Sequence, residues 1–147
     1  MICLRAVDER NWRAVTKLKV SEEQEHHVSS SMGILARAYA YHNHRGTVKA
    51  IYHYDILVGL LMYRDCDEIN SFVLDQLMID VNNQRNGYGR EAVKQVINLM
   101  KEDSKYPRIT LCYIEGDAIA KYLYTSLGFY HTGEVDEDEI IMAYDFS

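Results

Sequence analysis

The chain has 147 residues, 48% of them hydrophobic and 26% charged, with a single proline, which suits one domain over 1–147 and excludes a disordered or Pro-rich chain. A net charge of −6 without any Lys/Arg stripe argues against a nucleic-acid partner and favours a small cationic one. No run approaches the roughly 18 apolar residues of a membrane span, and Cys3, Cys66 and Cys112 form no Cys-x-x-Cys pair, so neither export nor membrane insertion is expected and a reducing cytoplasm is.

Ile2, Leu4 and Ala6 alternate with polar residues as in a strand, and Asp8 then stands as the N-cap of a helix that turns Trp12, Val15 and Leu18 inward. Ser21 with Gln24 has the spacing of a capping box and predicts a second helical stretch carrying Glu22, Glu23 and Glu25; a third helix covers 32–42. Residues 48–54 and 57–63 read as a hairpin, 64–70 as a polar loop and 71–80 as a strand. In that strand the apolar phase slips: Phe72 and Leu74 share one face, Leu77 and Ile79 the other, which predicts a β-bulge near Asp75 and Gln76. Ala92, Val93, Val96, Ile97 and Met100 recur at helical spacing within 87–103, ahead of Pro107. A strand over 108–114 leads to Asp117, the N-cap of a helix with Ala120, Leu123, Tyr124 and Leu127 on one face and Gly128 just past its end. Strands over 129–133 and 139–144 complete an α/β or α+β chain with a mixed sheet.

Residues 84–90, Gln-Arg-Asn-Gly-Tyr-Gly-Arg, join a strand to the helix with the clearest periodicity. Two glycines let backbone N–H groups converge there and the helix dipole adds to them, an arrangement that suits a pyrophosphate; a tight turn is the alternative. Arg85 and Arg90 add charge. No Gly-Lys-Ser/Thr follows and a third glycine is missing, which disfavours a Walker loop and a dinucleotide fingerprint.

Gln84, Gly87 and Gly89 fit the pattern Gln/Arg-x-x-Gly-x-Gly/Ala, and Ala120, Leu123, Tyr124, Gly128 and Phe129 fit Ala-x-x-Leu-Tyr-x-x-x-Gly-Phe some thirty residues later. With both motifs in order, residues 48–146 resemble the GNAT superfamily of acetyltransferases, and the 74–80 strand is similar to that of bacterial spermidine/spermine (diamine) N-acetyltransferases. The resemblance implies a GNAT fold: a central mixed, mostly antiparallel sheet with a bulged, splayed strand pair and flanking helices. It implies acetyl-CoA as cosubstrate and no metal. The backbone of Leu77, Met78 and Ile79 would pair with the pantetheine arm, and an N–H near Met78 would face the oxyanion. The backbone amides of Arg85, Asn86, Gly87, Tyr88, Gly89 and Arg90 would hold the pyrophosphate, and Gln84 and Lys121 belong to the same set of cofactor contacts. Asp117 stands where the family has a cofactor-contacting asparagine.

Acetyl transfer needs a neutral amine and a proton for the departing thiolate. The motif places Tyr124 for the second task, a phenol of pKa about 10 facing a thiol of about 8.5; its spacing alone also suits a core aromatic. Asp75 is an acid in an apolar strand, which suggests an ammonium partner or a base, or else a carboxylate paired with arginine at the bulge. Glu22 and Glu25 offer further anionic stations for a polycation, or are simply solvated. His26-His27 and His42-x-His44 lack zinc-helix spacing, and Cys112 reads as a structural thiol. The expected activity is acetylation of a primary amine in a ternary complex, with a polyamine such as spermine or spermidine as the preferred acceptor. An aminoglycoside, amino acid or protein N-terminus is the alternative within the enzyme class, and a non-catalytic acyl-CoA-binding module the alternative outside it. Family members often dimerise, so a homodimer is open.

Overall fold

A computed structural model describes residues 1–146. In chain order they form β1 (Ile2–Ala6), α1 (Trp12–Thr16), α2 (Ser31–Ala40), β2 (Thr47–His53), β3 (Ile56–Cys66), β4 (Ser71–Ile79), α3 (Tyr88–Asp103), β5 (Arg108–Ile114), α4 (Ala118–Ser126), β6 (Tyr130–Asp136) and β7 (Glu139–Asp145). The strands make one sheet in the order β1-β2-β3-β4-β5-β7-β6, antiparallel throughout except for β4 beside β5. α3 and α4 cover one face through Val93, Val96 and Tyr124 against Ile109, Leu111 and Met142. α1 and α2 cover the other through Val15 and Ile34 against Leu60, Met62 and Met78.

Two irregularities shape β4. Met62 of β3 faces Gln76 and the next residue, Tyr63, faces Leu74, so Asp75 is left over as a bulge. The extra residue resets the alternation: Phe72 and Leu74 are buried in the α3 core, and Leu77 and Ile79 pack against that same core instead of turning to the opposite face. The β4–β5 pairing is also short, running only through Phe72 with Ile109 and Val73 with Thr110. Beyond Val73 the two parallel strands diverge, and the sheet is split from the bulge to the C-terminal ends of both strands. Opposite the split, β3 approaches closely: a Cβ on Gly59 would stand 2.4 Å from the carbonyl oxygen of Met78.

Several elements differ from the expectation. The N-cap position of α1 is Asn11, while Asp8 closes the preceding turn, its carbonyl accepting from Trp12 N at 3.1 Å and its side chain from Arg10 N at 2.8 Å. Trp12 is turned outward with Arg13 over its ring, whereas Val15 and Leu18 are buried. The capping box of Ser21 and Gln24 forms, but on a single 3-10 turn, Glu22–Gln24. Residues 64–66 extend β3 instead of forming a loop, because their charges are paired: Asp65 is buried against Arg45 at 2.7 Å and Lys105 at 2.9 Å.

Candidate active site

The split between β4 and β5 opens at their C-terminal ends, so the segments that follow those ends frame its mouth. After β4, Arg85 and Gly87 adopt left-handed backbone conformations, φ 68° and 77°, and α3 begins at Tyr88. Among the described residues the backbone N–H groups of Arg85, Asn86, Gly87, Tyr88, Gly89 and Arg90 donate to no protein acceptor. Six free amides at the positive end of a 16-residue helix form an anion site of the kind a pyrophosphate needs. A Cβ on Gly87 would meet nothing within 4 Å, so the cradle is open. The side chains of this segment have partners of their own within the protein. Arg90 donates to Ser126 on α4, Tyr88 stacks on His53 at 4.7 Å, and Asn86 donates to the carbonyls of Asn83 and Gln84. Gln84 donates to the Ile79 carbonyl at 2.9 Å and to Gln24 at 2.8 Å, which makes its side chain a brace between β4 and the Glu22–Gln24 turn. Arg85 and Lys121 are exposed.

After β5, Asp117 caps α4 by accepting from Ala120 N at 3.1 Å, and its second oxygen lies 3.6 Å from His27 Nδ1. Two turns further on, Tyr124 is buried edge-on to Phe129. Burial, reinforced by the negative charge of Asp117 and the neighbouring Cys112, raises its phenol pKa well above the ordinary value, so the group keeps its proton at neutral and mildly alkaline pH. Cys112 is exposed, not the buried structural thiol expected, and partial desolvation together with Glu139 beside it pushes its thiol up to about 12, which leaves it a poor nucleophile.

Asp75, expected to meet a substrate ammonium or to act as base, is fully engaged inside the protein. Its two oxygens accept from Arg37 Nε and Arg64 Nε, each at 2.7 Å, and one also accepts from Gln76 at 3.2 Å. Burial alone would raise its pKa, but the Arg64 and Arg37 hydrogen bonds and charge outweigh it and hold the carboxyl below its usual range. Both guanidiniums lie over the Tyr41 ring, at 5.3 and 4.3 Å. A carboxylate held in this way is a weak proton acceptor, and with two arginines the cluster carries a net positive charge. Glu22 and Glu25 are both exposed, but only Glu25 lines a cavity of about 250 Å³, together with Leu18, Val20, Val28 and Met78. A larger cleft of about 340 Å³, between Leu4, Lys49 and the outer face of α3, contains none of the expected site residues.

Residues 10–129 match the Acetyltransferase (GNAT) family. The chain belongs to the GNAT acetyltransferase family. It is 33% identical over 141 residues to a spermine/spermidine N(1)-acetyltransferase of Bacillus subtilis (strain 168), covering 92% of this chain and 91% of that protein. A spermidine N-acetyltransferase of Vibrio cholerae, solved with CoA and spermine, superposes with a TM-score of 0.76 at 18% identity, covering 98% of this chain and 95% of that one. An aminoglycoside acetyltransferase solved with coenzyme A gives 0.81 at 12% identity, covering 99% and 95%. The protein is thus an acetyl-CoA-dependent N-acetyltransferase with the GNAT fold.

The residues present fit acetyl-CoA: free amides for its phosphates, and a split sheet for its pantetheine arm. Arg37, Arg64, His27 and Gln24 complete the surroundings and were missed by motif reasoning. Only Gln24 carried a local signal, the capping box; the others come from distant segments whose meeting no spacing announces.

Proposed function

We propose that the protein transfers the acetyl group of acetyl-CoA to a primary amine of a polyamine, spermine or spermidine, by direct attack in a ternary complex. The observation that carries this reading is the 33% identity, over nine-tenths of both chains, to a protein named for that reaction. The cavity beside Met78 supports it: apolar walls suit methylene segments, and Glu25 supplies one carboxylate for an ammonium. The fold alone does not choose the acceptor, since the aminoglycoside enzyme superposes at least as well.

Acetyl-CoA supplies an activated thioester. In this reading the Arg85–Arg90 amides hold its phosphates, and Leu77, Met78 and Ile79 border its pantetheine arm, with an N–H near Met78 toward the carbonyl oxygen. Tyr124, placed by the motif and holding its proton at neutral pH, is the proton donor for the leaving thiolate, with burial making it a weaker acid than a free phenol. Asp75 becomes a positioning residue that fixes Arg37 and Arg64, and the ammonium loses its proton to water. The chain works as a single domain in the cytoplasm, in keeping with three free cysteines. Among the described residues no helix is long and apolar enough to cross a membrane.

Thiol release from acetyl-CoA, followed with spermine, spermidine, a lysine peptide and an aminoglycoside as acceptors, tests the reading. Highest kcat/KM with the two polyamines is expected. Preference for the peptide or aminoglycoside removes the polyamine assignment, and coenzyme binding without turnover of any amine favours a non-catalytic module.

A further inference from the structure

We propose that His27 is part of the coenzyme site: its ring Nδ1, 3.6 Å from the free oxygen of Asp117, holds in place an acid that stands at the mouth through which a polyanionic coenzyme enters. The inference rests on the reading that coenzyme A occupies the β4–β5 split.

The mouth has two sides. One is the amide loop after β4, built for anions; the other is Asp117, three residues beyond the end of β5. A lone carboxylate there opposes the first side, because it repels the phosphates that the amides attract. One Asp117 oxygen is used locally by the Ala120 N–H, and the other faces the His27 ring at 3.6 Å. Both side chains are about four-fifths buried, at 18% and 20% exposure, so solvent screens the carboxylate weakly and a partner matters more.

His27 is held in place by its own segment. Its N–H donates to the Gln24 carbonyl at 2.9 Å, and the Gln24 side chain takes the Gln84 amide at 2.8 Å. Two residues on, Ser29 N donates to Gln76 at 3.3 Å. The segment is therefore fastened to β4, to the loop after it and to the start of α4. The same segment supplies Glu25, Val28 and Ser29 to the cavity assigned to the amine. His27 thus links the coenzyme mouth to the acceptor side.

Calorimetric titration with coenzyme A tests this in wild type, His27→Ala, Asp117→Asn and the double variant. Asparagine caps a helix as well as aspartate, so Asp117→Asn keeps α4, and thermal unfolding of all four verifies their folding. The expected result is an interaction, not a sum: His27→Ala weakens coenzyme A about tenfold, Asp117→Asn tightens it about threefold, and His27→Ala has no further effect on Asp117→Asn. Equal weakening by His27→Ala in both backgrounds, or no weakening in either, overturns the proposal. Gly87→Ala separates this failure from a wrong site. If Gly87→Ala weakens coenzyme A while the His27 variants are silent, only the His27 assignment falls; if Gly87→Ala is silent too, the split is not where coenzyme A binds.

Discussion

Asp75→Asn separates two roles for the acid at the bulge. In the structure the carboxylate is 5% exposed and holds two guanidiniums at 2.7 Å; Arg64 beneath it is 17% exposed, and Arg37 is 40% exposed. Removing one partner of a buried ion pair costs about 3–5 kcal/mol, because the remaining charge stays desolvated. Arg37 reaches water and recovers part of this, which lowers the expected loss to about 2–4 kcal/mol. At about 3 °C per kcal/mol for a chain of this size, Tm should fall by about 6–12 °C. Since the folded pKa of Asp75 is lowered, its contribution is complete above the ordinary carboxyl pKa, about 4, and is lost as pH falls through the lowered value. The gap between wild type and variant should therefore be constant from about pH 5 to 7 and close in stronger acid. Thermal unfolding by circular dichroism across pH measures it. Adding Arg64→Met should restore more than half the loss, because the orphaned charge is then gone. An Asp75→Asn protein with unchanged Tm and a sharply raised amine KM would refute the reasoning and return Asp75 to the substrate.

Tyr124→Phe should lower kcat by about 10²–10⁴-fold with little change in either KM, read by thiol release, because it removes a proton donor and leaves the packing against Phe129. A loss under about threefold would make Tyr124 a packing residue. Gly59→Ala should destabilise by about 1–3 kcal/mol in urea unfolding, since the new Cβ meets the Met78 carbonyl oxygen at 2.4 Å and forces β3 from β4. Cys112 should react slowly with iodoacetamide at pH 8, as followed by mass spectrometry of its peptide, because its thiol is pushed up to about 12; fast alkylation would show an activated thiolate.

Much of the site's frame was legible before any coordinates. The phase slip between Leu74 and Leu77 located the bulge at Asp75, because a strand cannot bury residues of both parities on one side without an extra residue. The glycines at 87 and 89 marked the free amides at the start of α3, and Asp117 marked the start of α4. What stayed hidden depends on long-range pairing. Arg64 and Asp65 looked like loop residues because buried charge is indistinguishable from solvated charge until Asp75, Arg45 and Lys105 are seen to meet them. For Asp75 an arginine partner was one of the readings, but which arginines could not be told, since Arg37 lies 38 positions away on α2. Trp12 looked internal by helical spacing, but α1 has only five residues and its outer face carries that ring.

The most direct measurement is identification of the product after spermidine and acetyl-CoA are incubated with the protein, by mass spectrometry with fragmentation. The account predicts a single added acetyl on a terminal primary nitrogen, with coenzyme A released in equal amount. Unmodified spermidine, under conditions where another amine is acetylated by the same preparation, would contradict it.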